Sequence, residues 1–432
     1  MTYEEARQYL DNATLRGSIL GLESITTLLS YLGDPQDDLK VVHISGTNGK
    51  GSTLAFISTI LKAAGYKVGR YISPTVICYE ERIQVNEEYI TNEALTRLTE
   101  LVSHAVERME REKGYSPTAF EIETAIAFLY YRECGCDIVV LECGMGGDTD
   151  ATNVVKTTLV SVIASVSMDH MGFLGNTLGE IASHKAGIIK KGIPVVTTRQ
   201  KPEAMESIRK KAYESGSALT VADAGKAYDI RSQDLRLHFS YNCTKGSYRD
   251  LETGLCGAYQ IENALLAIEA CEALKDLGYS ISEEDIRRGL KDTVWIGRFT
   301  KIHDDPVIII DGAHNEAAAL KLAETLEMYF TNRKLMYIMG VLKDKEYDRI
   351  LDIMLPYASK VVTVTPPNPR ALSAKDLADI ISSRNVCAVP AGSIKEAVIK
   401  AIDTATQDTA ILCFGSLYYL GDIIRAVDGL SR

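Results

Sequence analysis

The sequence lacks long apolar runs, and it has no excess of positive charge. Its 432 residues carry a formal net charge of −11, which argues against a general nucleic-acid binder, although a local basic pocket can still hold an anionic ligand. No apolar run is long enough to span a membrane. Met1–Arg7 has neither the basic start nor the apolar core of a secretory signal. We therefore expect no membrane and no nucleic-acid partner.

Cysteines are few and show no regular pairing. The nine cysteines are scattered and odd in number, which is typical of a reducing cytoplasm rather than of a disulfide-stabilised secreted domain. Cys134, Cys136 and Cys143 lie close together, but no second ligand pair follows at the spacing of a zinc site, so we interpret them as small buried residues. No Ser-His-Asp arrangement is evident. We expect a cytoplasmic protein.

What the chain does have is a glycine-rich turn between a strand and a helix. The β-branched run 41–45 leads into Gly46–Gly49, Lys50 follows, and an apolar-periodic helix begins at once. Glycines let backbone N–H groups approach phosphate oxygens, the helix N-terminus adds a favourable dipole, and the lysine supplies a point charge. The hydroxyl of Ser52 or Thr53 could contact the magnesium ion that accompanies a nucleoside triphosphate. The pattern predicts a phosphate-binding loop, or P-loop.

This P-loop is a variant of the Walker motif. Ile44 stands where the motif has glycine, and Gly51 stands where it has serine or threonine. A glycine-rich turn without function is the alternative interpretation. The position of Lys50, directly after a strand and a glycine turn, favours phosphate binding.

The rest of the chain alternates strands with helices. Hydrophobic residues make up 46% and charged residues 24%, which are ordinary values for a globular protein. Helical periodicity covers about 93–113 and 118–132, and apolar runs at 137–141, 158–163 and 194–197 predict strands. Such alternation predicts a mostly parallel sheet that is covered on both faces.

The pattern changes around Trp295–Phe299 and then restarts. The predicted strands of this second part are 307–310, 335–339, 361–365 and 410–414. We therefore predict an α/β fold, with a P-loop, mostly parallel-sheet ATPase domain over residues 1–298 and a smaller Rossmann-like domain over residues 299–432.

Polar residues follow several predicted strands, and ligands of open α/β sheets bind at such strand ends. Glu142 leaves its strand into a glycine loop, and we interpret it as a ligand of magnesium rather than as part of a hydrogen-bonded turn. The position of His170 does not decide between a structural role and metal ligation. Asp311 and His314 lie at the first strand end of the second domain, where an acidic group can bind ribose hydroxyls.

Composition leaves the role of three further polar residues open. Lys185 lies in a helical segment, and composition alone predicts a solvated residue there. Gln260 and Asn263 stand in the first turn of a helix that runs to about 274, where they could cap the helix or hydrogen-bond a base.

Together these residues resemble the folylpolyglutamate synthases, with or without dihydrofolate synthase activity, of the ATP-dependent Mur ligase superfamily. The similarity extends nearly end to end, and many spaced motifs in the same order are more specific than any one of them. The motifs are Leu20-Gly21-Leu22-Glu23, Ser45–Ser52, Ser73-Pro74, Phe120-Glu121, Leu141–Asn153, Asp169-His170, Lys185–Ile188, Gln260 with Asn263-Ala264, Gly297-Arg298, Asp311–Asn315, Gly340 with Asp344-Lys345, Arg370–Leu372 and Gly415–Tyr418.

The resemblance implies a role for each matching residue. ATP would be bound by Thr47, Asn48, Gly49, Lys50, Gly51, Ser52, Asn263, Arg298, Asp311 and His314. One or two magnesium ions would be held by Ser52, Ser73, Glu142 and His170. The catalytic residues would be Lys50, His170 and Lys185. Lys185 matches a lysine that CO₂ converts to a carbamate, which turns a cation into an anion. ATP would bridge the two domains, and domain closure would assemble the site.

The implied reaction forms an amide bond in two steps. The γ-carboxylate of a folate attacks the γ-phosphate of ATP, and the amine of L-glutamate then displaces phosphate from the acyl phosphate. Dihydropteroate is a second candidate acceptor. Such catalysis depends on positioning and charge neutralisation rather than on an enzyme nucleophile. Because one chain completes the site, we expect a monomer.

The chain departs from the family pattern at four places. Thr75-Val76 replaces His-Leu after the Ser-Pro pair, and Asp148-Thr149 replaces Arg-Leu before the Asp-Ala-Thr-Asn run. Tyr259 replaces the histidine before the Gln-x-x-Asn pair, and His184 replaces the glutamate before the modified lysine. The first two changes lie near the expected pterin pocket, so the choice between dihydropteroate and tetrahydrofolates stays open.

Two other hypotheses are also open. A Mur-type enzyme could join an amino acid to a different carboxylate, such as a cell-wall precursor, but no obvious uridine-nucleotide domain precedes the glycine turn at residue 46. The third hypothesis is a nucleotide-dependent switch or binding protein without ligase turnover. Retention of Lys50, Glu142, His170 and Lys185 argues against it.

Overall fold

The computed structural model describes residues 1–17, 21–169, 171–331 and 333–430. Over these residues the chain forms three sheets, and the predicted α/β fold with mostly parallel sheets is confirmed. Leu20 and His170, which the sequence analysis singled out, lie outside the described residues.

The largest sheet carries the glycine turn at its centre. Its strands are β1 (Val41–Ser45), β2 (Val68–Tyr71), β3 (Ile83–Val85), β4 (Glu88–Tyr89), β5 (Ile138–Glu142), β6 (Thr158–Ile163), β7 (Val195–Thr198) and β8 (Leu219–Ala222). They lie in the order β4-β3-β2-β5-β1-β6-β7-β8, and only the β2–β3 and β3–β4 pairs are antiparallel. Because β2, β5, β1 and β6 run parallel, the loops that follow them meet at one edge of the sheet.

A three-stranded antiparallel sheet follows, which the sequence analysis did not predict. Its strands are β9 (Ala227–Gln233), β10 (Arg236–Asn242) and β11 (Ser247–Thr253), in the order β11-β10-β9. Leu237, Phe239 and Tyr241 of β10 are buried, and polar residues alternate with them. This period of two is the sequence signal of a half-buried strand, and it identifies β10 in retrospect.

The remaining sheet forms the second part of the chain. Its strands are β12 (Thr300–Asp304), β13 (Val307–Ile310), β14 (Lys334–Met339), β15 (Ala358–Thr363), β16 (Ala388–Pro390) and β17 (Thr409–Phe414), in the order β12-β13-β17-β14-β15-β16. All pairs are parallel except β12 with β13. Because β12 was not predicted, Asp311 follows the second strand of this sheet in chain order, and the expectation that it follows the first was wrong. The domain boundary after residue 298 stays a prediction.

Helices cover the sheets. They are α1 (Tyr3–Ala13), α2 (Glu23–Tyr31), α3 (Lys50–Ala63), α4 (Asn92–Lys113), α5 (Ala119–Cys134), α6 (Met171–Leu174), α7 (Leu178–Ala186), α8 (Pro202–Glu214), α9 (Tyr259–Asp276), α10 (Glu283–Asp292), α11 (Glu316–Tyr329), α12 (Tyr347–Met354), α13 (Ala374–Ser382), α14 (Ile394–Thr404) and α15 (Leu420–Asp428). The helices predicted near 93–113, 118–132 and 259–274 are confirmed as α4, α5 and α9.

Both faces of the largest sheet are buried, which explains its continuous apolar strands. In β5, Ile138 and Val140 enter the core that contains α3, α9 and α10. Val139 and Leu141 enter the opposite core, with α1, α2, α4 and α5. Successive strand residues point to opposite faces, so a strand between two cores needs an apolar side chain at every position.

Two expectations from composition also concern the fold. Among the described residues, the structure contains no helix whose length and apolar content would let it cross a bilayer. All nine cysteines are free thiols; Cys143 is buried as interpreted, whereas Cys134 and Cys136 are partly buried.

A close contact between α10 and α3 allows a test of the core. A Cβ atom at Gly289 would lie 2.4 Å from the Cα atom of Ile60. We expect Gly289→Ala to lower the free energy of unfolding by about 1–3 kcal/mol, because two helix backbones must separate. Urea denaturation measures this change. Gly179→Ala is the matched control: its Cβ would lie 3.6 Å from the nearest atom, so its stability should be unchanged or slightly raised. Equal midpoints for the two variants would contradict this packing.

Candidate active site

The turn after β1 has the geometry of a phosphate-binding loop. Gly46 and Gly49 adopt φ angles of 147° and 88°, which favour glycine. A Cβ atom would also lie 2.8 Å from the Cβ of Ala164 at Gly46, and 2.4 Å from Oδ1 of Asn263 at Gly49. α3 starts at Lys50, and the N–H groups of its first turn have no partner within the helix. These N–H groups are therefore suited to bind an anion.

Lys50 lies between the P-loop and the end of β5. Its Nζ atom donates a hydrogen bond to the carbonyl of Thr47 at 3.2 Å and lies 3.9 Å from Oε1 of Glu142. The side chain is 17% exposed, so its charge is only partly screened by water. This position lets the ammonium group face a phosphate in the cavity while a buried carboxylate balances its charge.

Thr47 and Asn48 fix the P-loop to its surroundings. The hydroxyl of Thr47 accepts the N–H of Ser167 and donates to its carbonyl, both at 3.1 Å. The amides of Asn48 and Asn315 exchange hydrogen bonds of 3.3 and 3.2 Å. Asn315 also caps α11 by accepting the N–H of Ala318. The P-loop is thus joined directly to the second domain.

Gln260 and Asn263 connect α9 to the first turn of α3. Gln260 Nε2 donates to the hydroxyl of Ser52 at 3.3 Å, and Asn263 Nδ2 donates to Gln260 Oε1 at 2.9 Å. α9 starts after Ala258 without a side-chain capping bond, so the capping alternative was wrong. The chain of hydrogen bonds instead orients the hydroxyl of Ser52.

Glu142 is a buried carboxylate at the end of β5. Only 6% of the residue is exposed, and Oε2 accepts the N–H of Ser73 at 3.4 Å. Burial raises the pKa of Glu142, whereas Lys50 and Arg298 act in the opposite direction. The described residues include no cluster of three or more His, Cys, Asp and Glu that could hold a metal by themselves. One carboxylate with nearby hydroxyls fits magnesium, which is held largely by phosphates and water.

Lys185 is buried, so the solvated position predicted from composition was wrong. Only 3% of the residue is exposed, and Nζ donates to the carbonyl of Gly46 at 2.8 Å. Burial, and then the charge of Lys50, lowers the pKa of Lys185 to about 7. Much of this amine is therefore neutral near pH 7, and a neutral amine is a nucleophile.

Asp311, directly after β13, lines the same cavity as the P-loop but belongs to the second domain. Its Oδ2 accepts the hydroxyl of Tyr259 at 3.0 Å and the N–H of Phe299 at 2.8 Å, and its Oδ1 accepts the N–H of Ala313 at 2.8 Å. Burial raises the pKa of Asp311, which the charge of Arg298 partly offsets. Tyr259 belongs to α9, so this hydrogen bond joins the two domains. From the sequence, Tyr259 was noted only as a departure from the family pattern, and its hydrogen bond to Asp311 was not predicted.

Arg298 and His314 lie beside Asp311. Nη1 of Arg298 donates to the carbonyl of Gly297 at 3.2 Å, and a Cβ atom at Gly312 would lie 2.0 Å from that nitrogen. The guanidinium therefore covers Gly312. Burial lowers the pKa of His314 to about 4, so the ring is neutral, and Nδ1–H donates to the carbonyl of Gly312 at 2.8 Å. Nε2 of the neutral ring then carries a lone pair.

Two adjoining cavities lie where the domains meet. The smaller has a volume of about 270 Å³. It is lined by every described residue predicted for the site, namely Thr47, Asn48, Gly49, Lys50, Gly51, Ser52, Ser73, Glu142, Lys185, Asn263, Arg298, Asp311 and His314. The larger cavity, of about 480 Å³, includes the cations Arg82, Lys345 and Arg370. The two cavities share walls at Ser73, Pro74, Gly144, Met145, His314 and Leu417.

Two side-chain contacts near the cavities, an ion pair and a hydrogen bond, were not foreseen from the sequence. Lys345 Nζ and Asp169 Oδ1 are 2.7 Å apart, and this pair joins the domains. Nδ1 of His184 lies 2.8 Å from Oδ2 of Asp148, and the N–H of Asp148 donates to the carbonyl of His184. Two departures from the family pattern thus contact each other.

Comparison with protein families gives two matches along this chain. The Mur ligase middle domain matches residues 44–271, and the Mur ligase glutamate ligase domain matches residues 297–417. The dihydrofolate synthase/folylpolyglutamate synthase of Bacillus subtilis is 39% identical over 427 residues, which cover 98% of both chains. The folylpolyglutamate synthase of Lacticaseibacillus casei is 35% identical over 440 residues, which cover 99% of both chains.

Solved structures show the same similarity. The Mycobacterium tuberculosis folylpolyglutamate synthase complexed with ADP has a TM-score of 0.91 at 29% identity and covers 99% of this chain and 98% of its own. A structure described as an FPGS–AMPPCP–folate complex has a TM-score of 0.86 at 33% identity and covers 99% of this chain and 100% of its own.

The position of Asp311 yields a prediction for nucleotide binding. We expect Asp311→Asn to weaken ATP binding by about 1.5–3 kcal/mol, the usual contribution of a hydrogen bond to a charged group. Calorimetric titration with ATP and magnesium measures the affinity. Asp304→Asn, at an 86% exposed side chain on the neighbouring strand, is the control and should bind normally. Equal affinities, at equal thermal midpoints, would show that Asp311 does not contact the nucleotide.

Proposed function

The chain belongs to the folylpolyglutamate synthase/dihydrofolate synthase family of Mur ligases, and we propose that it catalyses the ATP-dependent addition of L-glutamate to folates. The observation that carries this proposal is the pair of adjoining cavities. One is lined by the P-loop, and the other contains three cationic side chains. Across the shared wall at Ser73 and His314, a nucleotide phosphate would face a carboxylate bound in the larger cavity.

The chemistry requires activation, because a carboxylate is a poor electrophile without a leaving group. First, an oxygen of the folate γ-carboxylate attacks the γ-phosphorus, and the bond to the bridging oxygen breaks to release ADP. Second, the amine of L-glutamate attacks the acyl carbon, the C–O bond to phosphate breaks, and the nitrogen loses a proton. Positioning and charge neutralisation are sufficient for both steps, so no protein nucleophile is needed.

The residues around the smaller cavity would have different roles in binding the nucleotide. The N–H groups of the P-loop and the Nζ of Lys50 would neutralise the phosphates from one side. Arg298 would do so from the other domain, and Asp311 would accept hydrogen bonds from ribose hydroxyls. His314, neutral at the shared wall, would approach the phosphates as a hydrogen-bonding group without adding charge.

Ser52, Ser73 and Glu142 would hold magnesium, with His170 proposed as a further ligand. The donor set fits this ion, because magnesium prefers oxygen ligands and Glu142 is a buried carboxylate. The Nζ atom of Lys50 lies 3.9 Å from Oε1 of Glu142, which is beyond hydrogen-bond distance. We propose one or two ions. When bound, magnesium would neutralise the charge that develops on the phosphate oxygens.

Lys185 is proposed as a carbamate. Burial and the nearby charge of Lys50 both disfavour an ammonium ion at this position, and the lowered pKa of Lys185 favours the neutral amine that reacts with CO₂. The amine nitrogen bonds to the carbon of CO₂ and releases one proton. The resulting anion would relieve the repulsion between the two lysines and would help to position a metal ion or phosphate.

The larger cavity is the proposed acceptor site. Phe120, Met145 and Leu342 contribute apolar surface. Arg82 and Arg370 pair with Glu123 at 3.3 Å and with Asp344 at 2.6 Å, and an acceptor carboxylate would add to or replace these pairs. Such a cavity fits a flat heteroaromatic acid. Because relatives bear the names of both synthases, dihydropteroate is proposed as a second acceptor.

We further propose that the protein acts as a monomer in the cytoplasm. One chain contributes both cavities and the residues that they share, so no second copy is required. The nine free cysteines fit a reducing compartment.

The carbamate can be detected directly. With ¹³C-bicarbonate, we expect a carbamate carbon signal by NMR in the native protein and in Lys191→Ala, whose lysine is exposed, but not in Lys185→Ala. The amine becomes neutral as the pH rises through its pKa of about 7, so the signal and turnover should decline below pH 7. Native turnover by Lys185→Ala would rule out the proposed modification as a catalytic requirement.

The proposed reaction is tested by its products. The protein is incubated with ATP, magnesium and L-glutamate, and with either dihydropteroate or tetrahydrofolate, and the products are analysed by mass spectrometry. We expect ADP, phosphate and an acceptor heavier by one glutamyl unit. Lys50→Ala should abolish turnover, and Lys191→Ala should retain it. Normal ATP binding without product from either acceptor would refute a folate substrate and favour another Mur-type carboxylate.

A further inference from the structure

Trp295, the single tryptophan of the chain, lies against the P-loop helix. A Cβ atom at Gly51 would lie 2.9 Å from the indole Nε1 atom and 3.2 Å from two ring carbons. Gly51 is the second residue of α3, between Lys50 and Ser52. The edge of the indole therefore covers the first turn of the helix that is proposed to bind phosphate.

This contact gives a physical reason for the variant Walker motif. The motif has serine or threonine at the position of Gly51, and either side chain would enter the space of the indole. The backbone does not require glycine, because Gly51 is not among the glycines with a left-handed φ angle. The absent side chain at residue 51 and the indole at residue 295 are thus complementary in shape.

The chain crosses from one domain core to the other directly after Trp295. The indole packs on the core that contains α3 and α9, whereas Ile296 packs on the core formed by β13, β17 and α15. The carbonyl of Gly297 then accepts the N–H of Gly312 at 2.8 Å, in the turn that carries Asp311. The crossing segment is therefore held at one end by the P-loop helix and at the other by the opposite wall of the nucleotide cavity.

We propose that Trp295 is a positioning residue for ATP, which acts through Gly51. Its indole fixes the first turn of α3 relative to the Asp311 turn, so that the two halves of the nucleotide cavity hold one ATP molecule together. This inference rests on the proposed use of ATP, but it does not depend on the identity of the acceptor.

A cycle of variants tests the contact, with calorimetric binding of AMPPCP and magnesium as the readout. Gly51→Ala should weaken binding about tenfold or more, because a methyl group collides with the indole. Trp295→Leu should weaken it several-fold through lost support, and Trp295→Phe should remain near the native affinity. The double variant Gly51→Ala/Trp295→Leu should bind more tightly than Gly51→Ala alone, because the shortened side chain makes room for the methyl group.

Steady-state kinetics and thermal unfolding separate positioning from folding. We expect the KM for ATP to rise in Gly51→Ala and Trp295→Leu while the KM for the acceptor changes little, at temperatures below the thermal midpoint of each variant. Independent, multiplicative effects of the two substitutions on AMPPCP affinity would overturn the proposal. Native AMPPCP affinity in Trp295→Leu would also overturn it. If the unmutated protein binds AMPPCP and the variants show the expected changes in affinity, but no folate is glutamylated, the proposed function is contradicted and the role of Trp295 is not.

Discussion

The proposed site depends on one constraint: the short backbone segment Gly46–Gly49, which is proposed to bind phosphate, is enclosed by protein. Two lysines, Lys50 and Lys185, converge on this segment, and the buried carboxylate of Glu142 lies 3.9 Å from the Nζ atom of Lys50. Two ammonium ions at these positions would repel each other in a poorly solvated space, so without a bound anion the neutral form of Lys185 is favoured. The lowered pKa of Lys185 expresses that repulsion together with burial. Phosphate, magnesium and a carbamate would each relieve part of it.

The second domain completes this environment through specific polar contacts. The amides of Asn48 and Asn315 bond across the interface, Tyr259 donates to Asp311, and Lys345 pairs with Asp169. Each of these contacts lies at or beside a cavity wall, so a change in domain orientation would alter the cavities as well. Nucleotide binding and domain closure are therefore expected to be coupled. The segment after Trp295 also links the two domains, because it runs from the P-loop helix to the turn that carries Asp311.

Local features of the site could be predicted from the sequence, whereas long-range contacts could not. The run before Glu142 is apolar at every position because β5 is buried on both faces, and the glycine turn predicts the P-loop directly. Lys185 was placed in solvent by composition, since its burial depends on contact with Gly46 in a distant loop. The Asp148–His184 pair likewise joins residues that a single sequence leaves unrelated. Strand β10 was missed although its alternating pattern was present.

The central claim is that the two adjoining cavities bring a carboxylate to a phosphate and that the carboxylate oxygen becomes phosphorylated. The most direct test follows that oxygen. Folate labelled with ¹⁸O in its γ-carboxylate is glutamylated in unlabelled water, and the released phosphate is analysed by mass spectrometry. The account predicts that one labelled oxygen is transferred to each phosphate, because the acyl C–O bond breaks in the second step. Glutamylated product together with unlabelled phosphate would contradict it.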